Sequence, residues 1–293
     1  MAEAVGPIFL VMPEWQGSAS SRAMQLADGA ALLREDLPPS SRVDVAVPAH
    51  AGDALGTPIA RLSSVLAARD SARELLRAHE GPAITLGGDC ASTLAGLERA
   101  VSRDPGVAVL WFDAHADVQH PSTSPSGAAS GMALRHALGE GGSDLNAAVA
   151  VDPSRVLLVG TREVDPEEAV AIAELGVATV PPPGDATAAG NDSSDAALAA
   201  QVAAWLADCG ATSVYVHIDL DVLDPAEFAS VHTPVPFGLL TTELITAIRK
   251  AVAAAPLAGA AICEFAPASA SAAAEDAPTV LRLLAALLSG GAK

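Results

Sequence analysis

The distribution of apolar and polar residues predicts strands that alternate with helices along the whole chain. Short apolar runs bounded by Gly, Pro or polar residues predict buried strands, and apolar residues three or four positions apart predict amphipathic helices. The predicted strands are 8–12, 43–47, 83–86, 107–112, 156–160, 177–180, 213–221 and 257–265. The predicted helices are 23–33, 59–79, 91–102, 132–138, one that starts at Pro166, 196–209, 242–254 and 279–288. This alternation favours an α/β fold, a three-layer α/β/α arrangement with a mostly parallel sheet.

The chain shows no internal repeat and no convincing domain boundary, so residues 1–293 are predicted to form a single domain. Residues 181–195 are of low complexity and contain several Pro, Gly, Ser and Asp residues. This composition predicts an exposed connection of no evident function.

Acidic residues and a histidine follow two of the apolar runs. The run 107–112 leads into Asp113, His115 and Asp117, and the run from 213 ends with Asp219 and Asp221. Residues two positions apart in an extended chain point to the same face, so these side chains are expected to converge at the carboxyl ends of strands. Crowded carboxylates need a cation. Their oxygen-rich donor set predicts Mn²⁺ or a similar ion, and two ions rather than one.

Composition excludes several other classes of function. The net charge of −19 over 293 residues argues against nucleic acids and anionic membrane surfaces, which bind basic patches. Three scattered cysteines do not make a disulfide framework, the first residues lack the basic segment of a signal peptide, and no apolar segment is long enough to span a bilayer. These features predict a cytoplasmic protein with reduced cysteines.

Four segments, in order along the chain, resemble the motifs of the arginase/agmatinase (ureohydrolase) family. Gly87-Gly88-Asp89-Cys90 is similar to GGDH, the segment 113–117 to DAHxD, the segment 217–225 to SxDxDxxDP, and the segment 264–267 to EVNP. The resemblance implies an arginase-like fold and a homo-oligomer, a trimer or hexamer. It also implies a binuclear manganese centre whose bridging hydroxide attacks the carbon of a guanidinium group.

The resemblance also assigns roles to individual residues. Asp113 and Asp219 would bridge the two ions, and Glu264 would be the counter-charge of the substrate guanidinium. Catalytic roles fall to Asp117 and Glu264. The implied metal ligands are Cys90, Asp113, His115, Asp117, Asp219 and Asp221.

A further match concerns the substrate. Residues 160–168 resemble the arginase segment GxRDVDPxE, whose acidic residues help to hold a substrate α-amino group, and Thr233 matches the threonine of a GTP turn. These matches favour an amino-acid substrate over a plain diamine derivative. The implied substrate-binding residues are Gln119, Ser126, Asp165, Glu168, Thr233 and Glu264.

The chain departs from the family pattern in two places. Cys90 replaces a metal-binding histidine, and a thiolate ligand would shift metal preference from Mn towards Zn, Fe or Co. Alternatively, Cys90 is a buried cysteine that no longer binds metal. In 126–132, which resembles SGNxHG, Ala128 replaces an asparagine that would bind the substrate carboxylate and Ser130 replaces a proton-shuttle histidine. His120 or His232 could replace that shuttle.

The expected function is therefore hydrolysis of a guanidino amino acid to urea or hydroxyurea and an ornithine-like amine. The cysteine and the missing shuttle resemble the N-omega-hydroxy-arginine hydrolase branch, which is one alternative. A catalytically silent, metal-binding homologue is another, and a deacetylase-like hydrolase is disfavoured by the Glu264 segment. Asp89 is expected to hold the site in place by bonding loop amides or a ligand imidazole, and His217 is expected to support a ligand or fill the core. Trp111 is expected to be a packing residue, and His136 is expected to lie at the surface.

Overall fold

A computed structural model describes residues 6–183 and 193–291 of the chain. Within these ranges, eight strands form one sheet in which every neighbouring pair is parallel. The strands are β1 (Ile8–Val11), β2 (Arg42–Asp44), β3 (Ala83–Leu86), β4 (Val107–Phe112), β5 (Val156–Val159), β6 (Ala178–Val180), β7 (Ser213–Asp219) and β8 (Leu257–Cys263).

Helices connect successive strands in the parts of the chain that the structure describes. They are α1 (Gln25–Glu35), α2 (Leu62–Arg77), α3 (Leu94–Arg103), α4 (Ala133–Ala137), α5 (Pro166–Leu175), α6 (Ser193–Asp208), α7 (Thr241–Ala254) and α8 (Ala270–Leu288). Short 3₁₀ turns precede α3 and α4 and follow β7.

The helices cover the sheet on both faces, which confirms the three-layer α/β/α prediction. Residues of α2 to α5 pack in one apolar core and residues of α1, α6, α7 and α8 pack in another. β4 separates the two, and its residues alternate between them, with Trp111 in the first core and Phe112 in the second. Because both faces are covered, every residue of β4 is buried, as in other parallel sheets.

The strand order is β2-β1-β3-β8-β7-β4-β5-β6. The central strands β3, β8, β7 and β4 are therefore neighbours although they are far apart in sequence. Three of the four motif segments follow β3, β4 and β8, and the fourth, 217–225, begins within β7 and continues beyond it. Since parallel strands end at the same edge, the sheet brings the four segments together at one crevice.

Several predicted boundaries were wrong. Helix α8 begins at Ala270, not at residue 279, because Ser269 accepts a hydrogen bond from the backbone N–H of Ala272 and Pro278 lies on the exposed side of the helix. Helix α6 begins at Ser193, so the end of the predicted 181–195 connection is helical, while 184–192 lie outside the described residues. Strand β7 ends at Asp219, and Asp221 lies in the 3₁₀ turn that follows.

In the described part of the chain, no helix combines the length and the apolar composition that a membrane crossing requires.

Candidate metal centre and substrate cavity

The loop after β4 carries the acidic residues that the sequence places in an extended strand, and that prediction was wrong. β4 ends at Phe112, and Asp117 has a left-handed backbone conformation with φ of 54°. The side chains converge through hydrogen bonds instead, since Asp113 Oδ1 accepts from the backbone N–H of His115 at 2.7 Å. A left-handed non-glycine residue costs free energy, and such strain is frequent at functional sites.

The end of β7 meets this loop directly. Asp219 Oδ1 accepts a hydrogen bond from the backbone N–H of Asp221 at 2.8 Å, which fixes the turn. Asp221 Oδ1 then accepts from the backbone N–H of Ala114 at 3.1 Å, and its Oδ2 accepts from the Thr233 hydroxyl at 3.0 Å. The turn therefore brings Asp221 to the loop that holds His115.

Cys90 enters the site from β3. Gly87 and Gly88 both have positive φ, and a Cβ on Gly87 would lie 2.3 Å from the Ala30 Cβ, so the chain needs glycine there. Asp89 accepts hydrogen bonds from the backbone N–H groups of Gly17 and Ala91, which confirms its predicted structural role. Cys90 then lies with its thiol donating to Asp219 Oδ2 at 3.1 Å.

The metal-ligand candidates form three overlapping groups. In each group, one donor atom per residue lies within 4.8 Å of every other. The groups are Cys90, Asp113, Asp117 and His217; Asp113, His115 and Asp221; and Cys90, Asp219 and Glu264. Asp113 belongs to two groups, as expected of a bridging ligand, whereas Asp219 belongs only to the group with Cys90 and Glu264.

Burial and mutual repulsion dominate the electrostatics of these groups. Burial, followed by the Asp221 charge, raises the pKa of Asp113 to about 6. Burial and neighbouring carboxylates raise the pKa values of Asp117 and Asp219 well above the usual range. Burial opposes a positive charge on His115, but hydrogen bonds and charges of Asp113 and Asp221 raise its pKa to about 12. The two carboxylates therefore favour the protonated form of His115.

These residues fit divalent cations. Asp117 Oδ2 is buried and has no hydrogen-bond partner among the residues that the structure describes, and an unpaired buried acceptor costs about 1–3 kcal/mol. Carboxylate oxygens, imidazole nitrogen and a thiol are all donors that divalent metals accept. The first two groups share Asp113, which supports two adjacent ions.

A cavity of about 520 Å³ opens above the metal-ligand candidates. Nine predicted site residues line its wall, while Asp113 and Asp221 are fully buried and lie outside the lining. The nine are Cys90, His115, Asp117, Gln119, Ser126, Glu168, Asp219, Thr233 and Glu264.

Asp165 lies outside the cavity wall, whereas Glu168 lines it. Asp165 does not line the cavity, because its carboxylate caps helix α5 through the Glu168 N–H and accepts from Gln119 Nε2 at 3.1 Å. Asp165 can therefore reach a ligand only through Gln119 or through water. Glu168 does line the cavity, and its Oε1 accepts from the backbone N–H of Val118.

Glu264 closes the cavity on the β8 side. Its backbone is left-handed, with φ of 65°, and its N–H donates to the carbonyl of Gly88 at 2.9 Å. Burial, followed by nearby carboxylates, raises its pKa well above the usual range. His232 Nδ1 lies 3.6 Å from Glu264 Oε2, and its side chain is only 2% exposed. A bound guanidinium would favour the ionised form of Glu264.

Sequence reasoning missed two contributions to this site. Arg22 and its neighbours 18–21, in the loop after β1, line the cavity, although the loop carries no motif that would reveal it. Trp111, predicted only to pack, donates from Nε1 to Asp113 Oδ2 at 3.1 Å and stacks on His217. His136, predicted at the surface, is fully buried on α4 and lies outside the cavity wall.

Comparisons with known proteins agree with this geometry. A family model described as "Arginase family" matches residues 18–289. An N(omega)-hydroxy-L-arginine amidinohydrolase of Streptomyces lavendulae is 31% identical over 277 residues, covering 92% of this chain and 94% of that protein. An arginase of Bacillus caldovelox is 33% identical over 167 residues, covering 55% of this chain and 53% of that protein.

Solved structures match over nearly the whole chain. An arginase of Entamoeba histolytica in complex with L-ornithine superposes with a TM-score of 0.81 at 20% identity, over 98% of this chain and 99% of that one. An arginase from Bacillus caldovelox superposes with a TM-score of 0.80 at 23% identity, over 97% and 98%. These likenesses establish the arginase-like fold.

Proposed function

This chain belongs to the arginase family and is a hydrolase of C–N bonds in linear amidines, and we propose that it acts on a guanidino amino acid. The products would be urea or hydroxyurea and an ornithine-like amine. The observation that carries the proposal is the position of Glu264, a buried carboxylate on the cavity wall within 4.8 Å of the Cys90 and Asp219 donor atoms. A guanidinium paired with Glu264 would present its carbon beside the metal-ligand candidates.

Two divalent cations are proposed as cofactors, with manganese as the first candidate and a softer ion favoured by Cys90. Cys90, Asp113 and Asp117 would hold one ion, and His115, Asp113 and Asp221 would hold the other. Asp219, which lies beside Cys90, would complete the ligand set. When bound, such ions lower the pKa of a shared water so that it attacks as hydroxide near neutral pH.

The chain's own residues would orient the guanidinium. Glu264 pairs with it, and the left-handed backbone of Glu264 directs the carboxylate into the cavity. His232 stands 3.6 Å from the Glu264 carboxylate and limits its movement. Holding the guanidinium carbon in one position contributes to the rate because it removes rotational freedom before the reaction.

The amino-acid end of the substrate would be held at the outer part of the cavity. Glu168 supplies a negative charge for the α-amino group, with Asp165 acting behind it through Gln119. Ala128 cannot bind a carboxylate, but Arg22 lines the same cavity and offers a guanidinium. Arg22 is therefore proposed to bind the substrate carboxylate in place of the missing asparagine. Ser126 and Thr233 complete this wall.

N-omega-hydroxy-arginine is the second candidate substrate, and Ser130 is the observation that favours it. Ser130 lines the cavity where a proton-donating histidine would serve the leaving amine. A hydroxylated guanidine is less basic and more readily attacked, so it depends less on that proton. The 31% identity to an N(omega)-hydroxy-L-arginine amidinohydrolase supports this choice.

The test is urea and hydroxyurea release by the Mn²⁺-loaded protein with arginine, N-omega-hydroxy-arginine, agmatine and guanidinobutyrate. Turnover of hydroxy-arginine far above arginine supports the second candidate, and preferred turnover of arginine supports an ordinary arginase. Preferred turnover of agmatine would contradict the amino-acid substrate. Two bound metals with no turnover of any compound would replace the proposal with a catalytically silent homologue.

A matched pair of variants tests the carboxylate site. Arg22→Gln should raise KM for an amino-acid substrate roughly tenfold or more with a smaller effect on kcat, since a charged hydrogen bond contributes about 1.5–3 kcal/mol. The same variant should leave agmatine, which has no carboxylate, unaffected. An equal effect on both compounds would overturn the role of Arg22.

A further inference from the structure

We propose that His217 is a metal ligand and supplies the imidazole that Cys90 no longer provides. The inference deepens the proposed function, because it concerns the same metal centre and rests on that centre binding metal. It adds a ligand that neither the motif resemblance nor the comparisons assign.

The position of His217 is fixed by its strand and by Trp111. His217 lies on β7, two residues before Asp219, and pairs in register with Trp111 of β4. The two rings stack with centroids 3.6 Å apart and an interplanar angle of 15°. Trp111 also donates a hydrogen bond to Asp113, so one indole orients both the imidazole and a predicted bridging carboxylate.

Both ring nitrogens of His217 are buried and lack a hydrogen-bond partner among the described residues. A neutral imidazole has one donor and one acceptor, and each costs about 1–3 kcal/mol when buried unpaired. Simple core packing would favour an apolar side chain at this position. A cation would satisfy the acceptor nitrogen of His217 and the unpaired Oδ2 of Asp117 together.

The distances suit one shared ion. Donor atoms of Cys90, Asp113, Asp117 and His217 all lie within 4.8 Å of one another. Two atoms bound to the same ion can be no more than about 4.5 Å apart, because each bond is about 2.0–2.3 Å long. The four donor atoms are therefore close enough for small side-chain movements, of less than about 1 Å each, to bring them onto one metal.

The motif departures at residues 90 and 217 are complementary. Cys90 stands where the GGDH pattern has histidine, and His217 stands where the SxDxDxxDP pattern has serine. Both departures fall in the same four-residue group. The group thus keeps one imidazole, moved from the end of β3 to β7, and gains a sulfur.

The two metal positions then differ in chemistry. The group with Cys90 and His217 offers sulfur, nitrogen and two carboxylates, whereas the group with His115 offers nitrogen and carboxylates only. Softer ligands favour Zn²⁺ or Co²⁺ over Mn²⁺. The protein is therefore expected to bind two divalent ions with different preferences, the softer one beside Cys90.

The experiment compares wild type with His217→Ser, Cys90→Ser and the double variant Cys90→His/His217→Ser. Co²⁺ titration followed by the thiolate-to-cobalt charge-transfer band reports the position beside Cys90, and elemental analysis reports the number of ions. His217→Ser should weaken Co²⁺ binding at this position by more than the roughly 10- to 100-fold that loss of an outer hydrogen-bonding partner costs. The double variant should regain affinity without the band, and His136→Gln is the control for loss of a buried histidine.

A measurement on the unsubstituted protein keeps the inference testable if a variant fails to fold. Pulsed electron paramagnetic resonance of the Mn²⁺-loaded protein should detect two coordinated histidine nitrogens for the pair of ions. One coordinated nitrogen, or unchanged Co²⁺ affinity in folded His217→Ser, overturns the inference, and so does failure of the wild type to bind metal. Two nitrogens in a protein that turns over no guanidino compound would leave the ligand assignment standing and reject the proposed function.

Discussion

At the residue scale, the site depends on single side chains held in unusual states. Asp117 and Glu264 both have left-handed backbones, and both have carboxyl groups whose pKa values are raised by burial. Such groups contribute little to the stability of the folded chain by themselves. The proposed ligands, a metal at Asp117 and a guanidinium at Glu264, carry positive charge and would offset this cost.

Glu264→Gln tests the guanidinium contact. Glutamine keeps the volume but removes the charge, and loss of one partner of a buried charge pair costs about 2–5 kcal/mol. We expect kcat/KM for the best substrate to fall roughly 30-fold or more, since about 1.4 kcal/mol corresponds to tenfold. Steady-state kinetics measures the loss, with Glu167→Gln, which removes an exposed carboxylate of helix α5, as a control. Wild-type kcat/KM in Glu264→Gln would reject the contact.

At the element scale, the loops that follow the strands are tied together by one guanidinium. Arg162, in the loop after β5, donates to backbone carbonyls of Asp221 and Val222 after β7 and of Val235 and Pro236 further on. These contacts position the turn that carries Asp221. The planar fork of arginine reaches carbonyls in several directions, which a lysine ammonium cannot do.

Arg162→Lys tests this tie. The positive charge is kept, but several hydrogen bonds to carbonyls are lost, and each contributes about 1.5–3 kcal/mol when one partner is charged. We expect the free energy of unfolding to fall by roughly 2–4 kcal/mol, together with weaker metal binding at the His115 position. Denaturant unfolding and metal titration measure the two effects. Arg135→Lys, a side chain that donates to a single carbonyl, should change neither.

At the scale of the whole molecule, the metal-ligand candidates come from both halves of the sheet. Cys90 comes from the end of β3, Asp219 from β7 and Asp113 from β4, and these strands lie in the middle of the order. Ions that bind these residues would stabilise the folded chain against unfolding, because the unfolded chain has no preformed site.

Removal of metal is therefore expected to lower the melting temperature. Saturation at about 100 times the dissociation constant stabilises by about 2.7 kcal/mol, which corresponds to a shift of roughly 4 °C for a chain of this size. Thermal unfolding with chelator and with added Mn²⁺ measures the shift. In Asp113→Asn, most of the metal-dependent increase in melting temperature should be lost. Without metal, the melting temperature of this variant should equal or exceed that of the wild type. Identical melting curves with and without metal would contradict the expectation.

The stability of the protein in acid is expected to depend on His136, which lies outside the cavity wall. Burial lowers the pKa of His136 from 6.5 to about 4, and Nδ1 lies 3.0 Å from Asn146 Oδ1. Asn146 Nδ2 donates to the Gly139 carbonyl, so its Oδ1 is the acceptor and Nδ1 of the neutral His136 carries the proton. Because the folded pKa is depressed, stability is fully present above pH 6.5 and is lost as pH falls towards 4.

The His136→Gln variant measures this effect. The lost stability amounts to about 3 kcal/mol, at about 1.4 kcal/mol per pKa unit. The unfolding free energy of the wild type minus that of the variant should decrease by that amount as the pH falls from 6.5 to 4. Chemical denaturation at each pH gives the difference. The contributions of other titrating groups are the same in both proteins and cancel. A difference that does not change with pH would show that His136 titrates normally.

The cavity residues divide into those that sequence could identify and those that it could not. Asp113, His115 and Glu264 follow apolar runs in recognisable patterns, so their place at strand ends could be predicted. Arg22 could not be found, because its loop meets the cavity only through the position of β1 beside β3. The environment of His217 could not be predicted either, because the stacking of its buried ring on Trp111 depends on strand register.

The sequence by itself determined the alternation of strands and helices, the parallel sheet and the acidic character of the strand ends, since these follow from local periodicity and residue type. It did not determine that Asp117 turns left-handed, that Asp221 lies in a 3₁₀ turn, or that Asp165 is used by a helix cap. Tertiary structure decided these features, because the order β3-β8-β7-β4 and the hydrogen bonds between loops depend on residues far apart in the chain. Local sequence patterns do not specify which distant residues become such partners, because these residues meet only when the sheet has assembled.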